Sequence, residues 1–281
     1  MPGRQLIHAG FGLLVVCTMS SSLFAQQFSV VTKVVQPLRD AAPGEPQEEV
    51  VARSLTIFHA GKVYDYLPAV GEVTVFEPAH KRFIIFNGRK MIATTVSFDQ
   101  IQQLLDAARD ETNSYVKRLE KRGGADARSV VGPLKFQLDP DFAEQFVKTS
   151  KHLKLDSPQY SYQVDCGTAQ LPEATEEYLE YTDWAARLNY VLHPRSQFPN
   201  PRLELNRSLR RRKLIPLRVQ VNVAFDQPWI LEAQHRFVWG FDSQERQHIQ
   251  HWESKINDSD LKRVSFREYQ QTVLQAVAQS K

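Results

Sequence analysis

Residues 72–90 read EVTVFEPAHKRFIIFNGRK, and this stretch decides the fold class. Two short apolar runs lie on either side of a turn that contains Pro78, and Asn87-Gly88 follows the second run. Val, Ile and Phe favour strands, and turns this short join antiparallel neighbours. Successive side chains of a strand point to opposite faces, and here both faces are apolar. The stretch therefore predicts a hairpin in a sheet that is covered on both sides.

The same pattern extends in both directions along the chain. β-branched and apolar runs separated by short turns recur over 28–96, with an exposed loop at 36–52 where prolines and acids concentrate. Ser97, with Gln three residues later, marks the start of a helix over 97–122, and Gly123-Gly124 ends it. The sequence predicts an antiparallel meander followed by a helix with one apolar face.

The second half of the chain, 133–257, alternates strands with helices. We predict strands at 134–138, 152–155 and 160–165, and helices at 141–148, 175–192, 201–213 and 243–256. The clearest hairpin is 215–240, because apolar and polar residues alternate along it. Its second strand places one set of residues on a single face: Trp229, Leu231, Ala233, His235, Phe237 and Trp239.

These elements predict an α+β fold, with a curved antiparallel meander sheet of about nine or ten strands packed with helices. We expect one domain over 26–262, in which the hairpin extends the first meander. A final helix is expected within 263–281, capped by Ser265 and striped by apolar residues that include Val273, Leu274 and Val277.

The first 25 residues have the layout of a cleavable export signal. Arg4 precedes a short apolar run and a small-residue site that ends at Ala25. The apolar run is well below the roughly 18 residues of a spanning helix, and no later segment is long enough. Cys17 does not follow a small residue, which argues against lipid modification. We expect a mature chain from Gln26 that is periplasmic or secreted and does not span a membrane.

Charge and cysteine content exclude further classes. The formal net charge of the 281 residues is +3, and loss of Arg4 with the signal leaves +2, which is too small to indicate nucleic acid. Removal of Cys17 leaves Cys166 alone, so no intrachain disulfide is expected. No metal-binding or phosphate-binding motif occurs, and no cofactor is expected.

Each candidate for catalysis or metal binding has a structural explanation. His248 and His251 stand three apart near Glu253, but the HExxH pattern is absent, and a solvated helix face is favoured. Cys166 follows Asp165, whose charge raises rather than lowers a thiol pKa. A strand-end cysteine is therefore favoured over a nucleophile.

The remaining histidines are also explained without chemistry. His235 lies on the apolar face of its strand and is expected to be a hydrogen-bonded core residue. His59 and His80 fall in predicted turns, and His152 is a candidate neighbour of Cys166. A hydrolase would need a nucleophile and a base within about 3 Å in one cleft.

Two surfaces are candidates for binding. A sheet with two apolar faces needs cover from its own helices, the commoner case, or from an apolar ligand between sheet and helix. The residues proposed for such a ligand are Tyr64, Tyr66, Phe76 and Phe86. The second candidate is a basic cluster, defined by Arg207, Arg210, Arg211, Arg212 and Lys213. It either complements the dipole at a helix C-terminus or holds an anionic partner, and charge reversal at 210–212 should then abolish binding without unfolding the protein.

Four segments carry a resemblance to a known group of proteins. SLTIFHAGKVYDYL at 54–67, GEVTVFEPAHKRFIIFN at 71–87, DWAARLNYVLHP at 183–194 and FPNPRLELNRSLRRRKLIP at 198–216 resemble an uncharacterised exported bacterial family with no known activity. The architecture and the rhythm of GKVYDYLPAVGEVTVFEP are also similar to the lipoprotein carriers LolA and LolB. That resemblance implies a sheet curved around helices with acyl chains held between them, although 175–213 exceeds what a minimal carrier needs.

The sequence thus favours an exported, non-catalytic binding protein of the cell envelope that holds an apolar or acyl ligand. The alternative is a structural or interaction module that recognises an anionic envelope component through the basic cluster. An unrecognised hydrolase is the third hypothesis.

Overall fold

The computed structural model describes residues 27–38, 47–193, 196–225 and 228–279, with the backbone alone for 273–279. The export signal expected at 1–25, the centre of the loop predicted at 36–52, and the apolar side chains predicted beyond 272 lie outside this description.

The described chain contains twelve strands and six α-helices. The strands are β1 Phe28–Pro37, β2 Glu48–His59, β3 Lys62–Leu67, β4 Glu72–Glu77, β5 Arg82–Asn87, β6 Ile92–Ser97, β7 Ala143–Val147, β8 His152–Ser157, β9 Tyr160–Gly167, β10 Ile215–Val223, β11 Trp229–Trp239 and β12 Lys262–Arg263. The helices are α1 Phe98–Arg122, α2 Ala125–Leu138, α3 Ala174–Leu192, α4 Asn200–Arg212, α5 Ser243–Ile256 and α6 Phe266–Gln279. Pro78–His80 forms a 3-10 turn between β4 and β5.

All twelve strands belong to one open sheet. Their order is β12-β6-β5-β4-β3-β2-β1-β11-β10-β9-β8-β7, and only the β12–β6 pair is parallel. The predicted α+β fold with a curved antiparallel sheet is confirmed. The hairpin of β10 and β11 extends the first meander, because β11 pairs with β1 from Phe28↔Trp239 to Val35↔Glu232.

The inner face of the sheet is the one that packs against α1, α2, α3, α4 and α6. A row of apolar side chains crosses it from β1 to β5, and these are Phe28, Phe58, Val63, Phe76 and Phe83. The rings of Phe28 and Phe58 stack at 4.1 Å between centroids, and Phe98 of α1 stacks on Trp184 of α3 at 3.8 Å. Ser97 caps α1 as predicted, since its hydroxyl accepts from the Gln100 amide at 3.1 Å.

The outer face is covered by α5 over β2–β6. Ile57, Val73 and Phe86 are buried there against helix residues such as Trp252. An apolar cover on both faces is what the alternation in 72–90 predicts. Beyond β1 the outer face is polar, and charged neighbours such as Arg218 and Asp165 pair across its strands at 2.8 Å.

Four sequence predictions are wrong in this fold. The sheet has twelve described strands instead of nine or ten. Residues 134–138, predicted as a strand, form the end of α2, and the helix predicted at 141–148 is the edge strand β7. The strand β2 begins at Glu48, inside the predicted loop, because it pairs with the end of β1 as far as Pro37. Short segments take their conformation from the neighbour they pair or pack with, which overrides local preference.

Across the described part of the chain, no helix has both the length and the apolar character needed to cross a membrane.

Candidate functional site

A cleft of about 800 Å³ lies on the inner face, between the sheet and the helices α3 and α4. Short side chains line it on both the strand and the helix, namely Ala233 on β11 and Ala185 and Ala186 on α3. The exposed lining is mostly apolar, and its members are Thr32, Val34, Tyr160, Tyr162, Thr182, Ala185, Ala186, Asn189, Ser196, Gln197, Phe198, Pro199, Arg202, Trp229, Leu231, Ala233 and His235.

His235 and Thr32 form a polar pair on the sheet side of the cleft. They are directly opposed on β11 and β1, and Thr32 Oγ1 lies 3.0 Å from His235 Nδ1. Burial, together with the charge of Arg202, lowers the pKa of His235 to about 3, so the imidazole is neutral at physiological pH. Its Nε2 is buried and has no hydrogen-bond partner within the described residues.

Two tyrosines of β9 form a second polar group. The hydroxyls of Tyr160 and Tyr162 lie 3.1 Å apart, and Tyr160 donates to Gln197 Oε1 at 3.0 Å. Burial raises the pKa of both phenols, so both remain protonated and neutral.

Arg202 is the one charged residue among the described residues that line the cleft. It lies in the first turn of α4, is half-buried, and lies close enough to the Tyr178 hydroxyl to offset part of the rise that burial causes in the pKa of that phenol. Its charge acts on four neutral groups at once: it opposes the effect of burial on the pKa of Tyr160, Tyr162 and Tyr178, and reinforces it on that of His235. No described carboxylate forms an ion pair with it.

A smaller cavity of about 230 Å³ shares Ala185 and Asn189 of α3 with the cleft. Its lining includes two carboxyls: that of Asp65, which accepts from Thr56 at 2.7 Å, and that of Glu72, which accepts from the Tyr269 hydroxyl at 2.5 Å. Burial raises the pKa of both carboxyls. These two acids line this cavity and do not line the cleft.

The four aromatic residues proposed for a ligand do not form one surface. Tyr64, Tyr66 and Phe86 lie on the outer face under α5, where the rings of Tyr64 and Tyr66 are 6.2 and 5.3 Å from that of Trp252. Phe76 lies in the inner core, 5.5 Å from the ring of Phe98. None of the four lines the cleft.

The basic cluster is brought together with carboxylates. Arg207 pairs with Glu204 at 2.5 Å, and Arg210 pairs with Glu176 at 2.9 Å and Asp183 at 3.0 Å. Arg211 and Arg212 both bind Glu144 of β7. Lys213, in the left-handed conformation that ends α4, is exposed. Four of the five charges of the cluster thus have partners inside the chain.

The thiol and the helix histidines behave as the structural explanation expects. Cys166 is buried, and burial together with the charge of Asp165 raises its thiol pKa to about 11. His152 binds Asp165 at 2.8 Å on the polar outer face, while Cys166 faces the inner core. His248 stacks on Trp252 at 5.3 Å, and no group of metal-ligating side chains occurs in the described ranges.

Two further histidines, His59 and His80, flank the hairpins of the meander. His80 is exposed beside Glu77 at 3.5 Å, and His59 contacts the ring of Phe241 at 5.4 Å. Both are therefore placed by local packing and lie away from the cleft.

Arg202 was missed by reasoning from sequence, although it stands within the quoted segment 198–216. One signal could have found it. The N-terminal end of a helix carries partial positive charge, which disfavours a cation in the first turn. An arginine at that position has no dipole explanation, unlike Arg210, Arg211 and Arg212 in the last turn.

The fold and the cleft define a class: an α+β protein with an open antiparallel sheet and a mostly apolar cleft between sheet and helices. No family model matches the sequence, and no curated protein matches it. Among solved structures, an uncharacterized conserved protein from Thermus thermophilus is similar at 6% identity and a TM-score of 0.34, over 86% of this chain and 91% of that one. That similarity is too low to carry an argument about the cleft.

Proposed function

We propose that the protein is an exported, non-catalytic binding protein of the cell envelope that holds an apolar or acyl ligand in the cleft. The observation that carries this proposal is the mostly apolar cleft of about 800 Å³ between the sheet and α3 and α4. Small-ligand sites have volumes of roughly 300–1,000 Å³, apolar walls and a few convergent polar groups. The cleft combines all three features. Export rests on the sequence pattern of 1–25.

Thr32 and His235 supply a specific reason to weigh a hydrolase. Their 3.0 Å separation in one cleft meets the distance criterion for a nucleophile and its base. A general base works best with a pKa near the working pH, whereas that of His235 is lowered to about 3. We therefore favour binding over hydrolysis at this pair.

The interaction-module alternative depends on the basic cluster. Its arginines are already paired with carboxylates of the chain, so an anionic partner would compete with Glu144, Glu176, Asp183 and Glu204. Binding at the cleft requires no such exchange.

The test begins with the mature chain, residues 26–281, purified from its own envelope or secreted fraction. Mass spectrometry of an organic extract should show a stoichiometric apolar molecule, and an acyl-chain fluorophore should bind the stripped protein. Ala233→Trp fills the cleft and should abolish fluorophore binding. Arg236→Trp is the matched control, because it is exposed three residues along the same strand on the opposite face.

Ala186→Phe, on the helix side, provides a second block if Ala233→Trp unfolds. A clean extract with no fluorophore binding would refute the proposal, as would equal weakening by the Ala233 and Arg236 variants. Turnover of a long-chain nitrophenyl ester, lost in Thr32→Val, would establish the hydrolase instead.

A further inference from the structure

We propose that the ligand of the cleft is an anionic amphiphile, with its carboxylate or phosphate head group bound to Arg202 and its acyl chain along the apolar walls. This inference rests on the proposed binding function and adds the charge and the orientation of the ligand.

The first support is that no carboxylate among the described residues compensates the charge of Arg202. The arginines at 207, 210, 211 and 212 of the same helix each pair with a carboxylate, whereas Arg202 contacts the neutral Tyr178 and has no acidic partner among the described residues. Removing a charge from water is costly unless an opposite charge meets it. Guanidinium groups bind carboxylates and phosphates through two parallel hydrogen bonds. Since no described residue supplies that anion, we assign this role to the head group of the ligand.

The second support is the polarity of the groups around that guanidinium. Tyr160, Tyr162, Tyr178 and His235 are all within its electrostatic reach, and each of them is neutral. Phenolic hydroxyls can donate to the oxygens of a head group, and no carboxylate lines the described part of the cleft to repel it. Arg202 also lies in the first turn of α4, where the positive end of the helix dipole favours an anion.

The third support is the apolar surface beside the charge. Trp229, Leu231 and Ala233 of β11 continue along the cleft away from His235, with Val34 of β1 beside them. Burial of a chain contributes roughly 0.8 kcal/mol per methylene. Neither a small inorganic anion nor a neutral hydrocarbon would use both parts of the site, whereas an amphiphile does.

The experiment compares ligands of one chain length with different head groups. Oleate, oleyl alcohol and oleylamine compete with an acyl fluorophore for the stripped mature protein, and oleoyl lysophosphatidate separates a phosphate preference from a carboxylate preference. We expect oleate or lysophosphatidate to bind at least about tenfold more tightly than oleyl alcohol, with oleylamine weakest, because a hydrogen bond to a charged group is among the stronger ones.

Arg202→Gln should lower the affinity for the anionic ligand by about tenfold or more and leave the affinity for oleyl alcohol unchanged. Arg202→Lys should retain part of the preference for the anionic ligand. Arg207→Gln is the matched control: an exposed arginine of the same helix that lies outside the cleft and should change neither affinity.

The outcomes separate the two proposals. Equal binding of oleate and oleyl alcohol by the native protein would overturn the anionic head group and leave the binding function intact. If none of the compared ligands binds, the proposed binding function itself is overturned. If Arg202→Gln does not fold, the affinity ratio of the native protein and of Arg202→Lys still decides the question.

Discussion

Glu144 of the edge strand β7 should contribute strongly to the stability of the contact between the sheet and α4. Its carboxylate accepts hydrogen bonds from Ser208 at 2.5 Å, from Arg211 at 2.6 Å and from Arg212. The contacts with the two arginines are ion pairs. The side chains of Glu144 and Arg212 are only 23% and 24% exposed, whereas Arg211 is 54% exposed. The Glu144–Arg212 ion pair should therefore contribute more to the free energy of unfolding than the Glu144–Arg211 pair.

The expected cost of Glu144→Gln lies between two limits. Breaking a fully buried ion pair costs roughly 3–5 kcal/mol, and an exposed pair contributes about 0–1 kcal/mol. Gln retains the shape and one acceptor for Ser208, so we expect a loss of about 2 kcal/mol in the free energy of unfolding. For a chain of this size that corresponds to a fall in Tm of about 4–8 °C.

The pH dependence follows from the pKa of Glu144. Burial raises it, but the hydrogen bonds from Ser208 and Arg212 and the nearby guanidinium charges outweigh burial and lower it below 4.5. A lowered native pKa stabilises the fold above the unfolded pKa, and the stabilisation is lost as pH falls through the native value. The difference in unfolding free energy between wild type and Glu144→Gln should therefore be full at neutral pH and shrink in acid, as the pH falls through the lowered native pKa.

Urea unfolding followed by tryptophan fluorescence, at neutral and at acidic pH, measures the loss in unfolding free energy and its pH dependence. Glu204→Gln on α4 is the control, since its partner Arg207 is 61% exposed, and it should cost less than about 0.5 kcal/mol. Two results would contradict this prediction for Glu144→Gln. One is a loss in unfolding free energy below about 0.5 kcal/mol at neutral pH, and the other is an equal loss at neutral and at acidic pH. The same ion pairs predict that charge reversal at 210–212 destabilises the fold, contrary to the expectation from sequence.

Further predictions concern the outer face, the acidic cavity and the thiol. Trp252→Ala should lower the free energy of unfolding by about 3–5 kcal/mol, because the ring is buried under α5; a loss below about 1 kcal/mol in urea would show that α5 contributes little. Asp65→Asn should stabilise the protein at neutral pH. Burial raises the native pKa of Asp65 above its unfolded 3.8, so its favourable contribution is present below that value and is lost as pH rises through the native pKa. Unfolding curves at neutral and acidic pH should show the gain closing at the acidic end, and a destabilised variant at neutral pH would contradict this. Cys166, with a thiol pKa of about 11, should react with a thiol reagent far more slowly in the native protein than in guanidinium chloride; equal rates would contradict its burial.

Local sequence determined the elements whose periodicity is long or strict. The helix α1 has one apolar face over 25 residues, and the hairpin of β10 and β11 alternates along both strands. These elements can be predicted because a long, regular repeat of apolar residues indicates which side of the helix or strand is buried. The apolar alternation of 72–90 likewise required two covers, which are the inner helices and α5.

Tertiary structure decided the short segments and the site. Residues 134–138 alternate like a strand yet end a helix, and 141–148 contain helix formers yet pair with β8, because a few residues gain more from a partner than from propensity. The cleft exists because β1 and β11, distant in the chain, pair side by side and place Thr32 opposite His235 under α3 and α4.

By itself, then, the sequence determined the α+β class, the meander, the main helices and the presence of apolar residues on both faces of the sheet. Only the folded chain decided that the aromatic residues proposed for a ligand pack against helices, and that the basic cluster meets carboxylates whereas Arg202 meets none among the described residues. The physical reason is that periodicity reports which face a side chain points to, whereas charge compensation and unfilled space depend on which distant elements meet there.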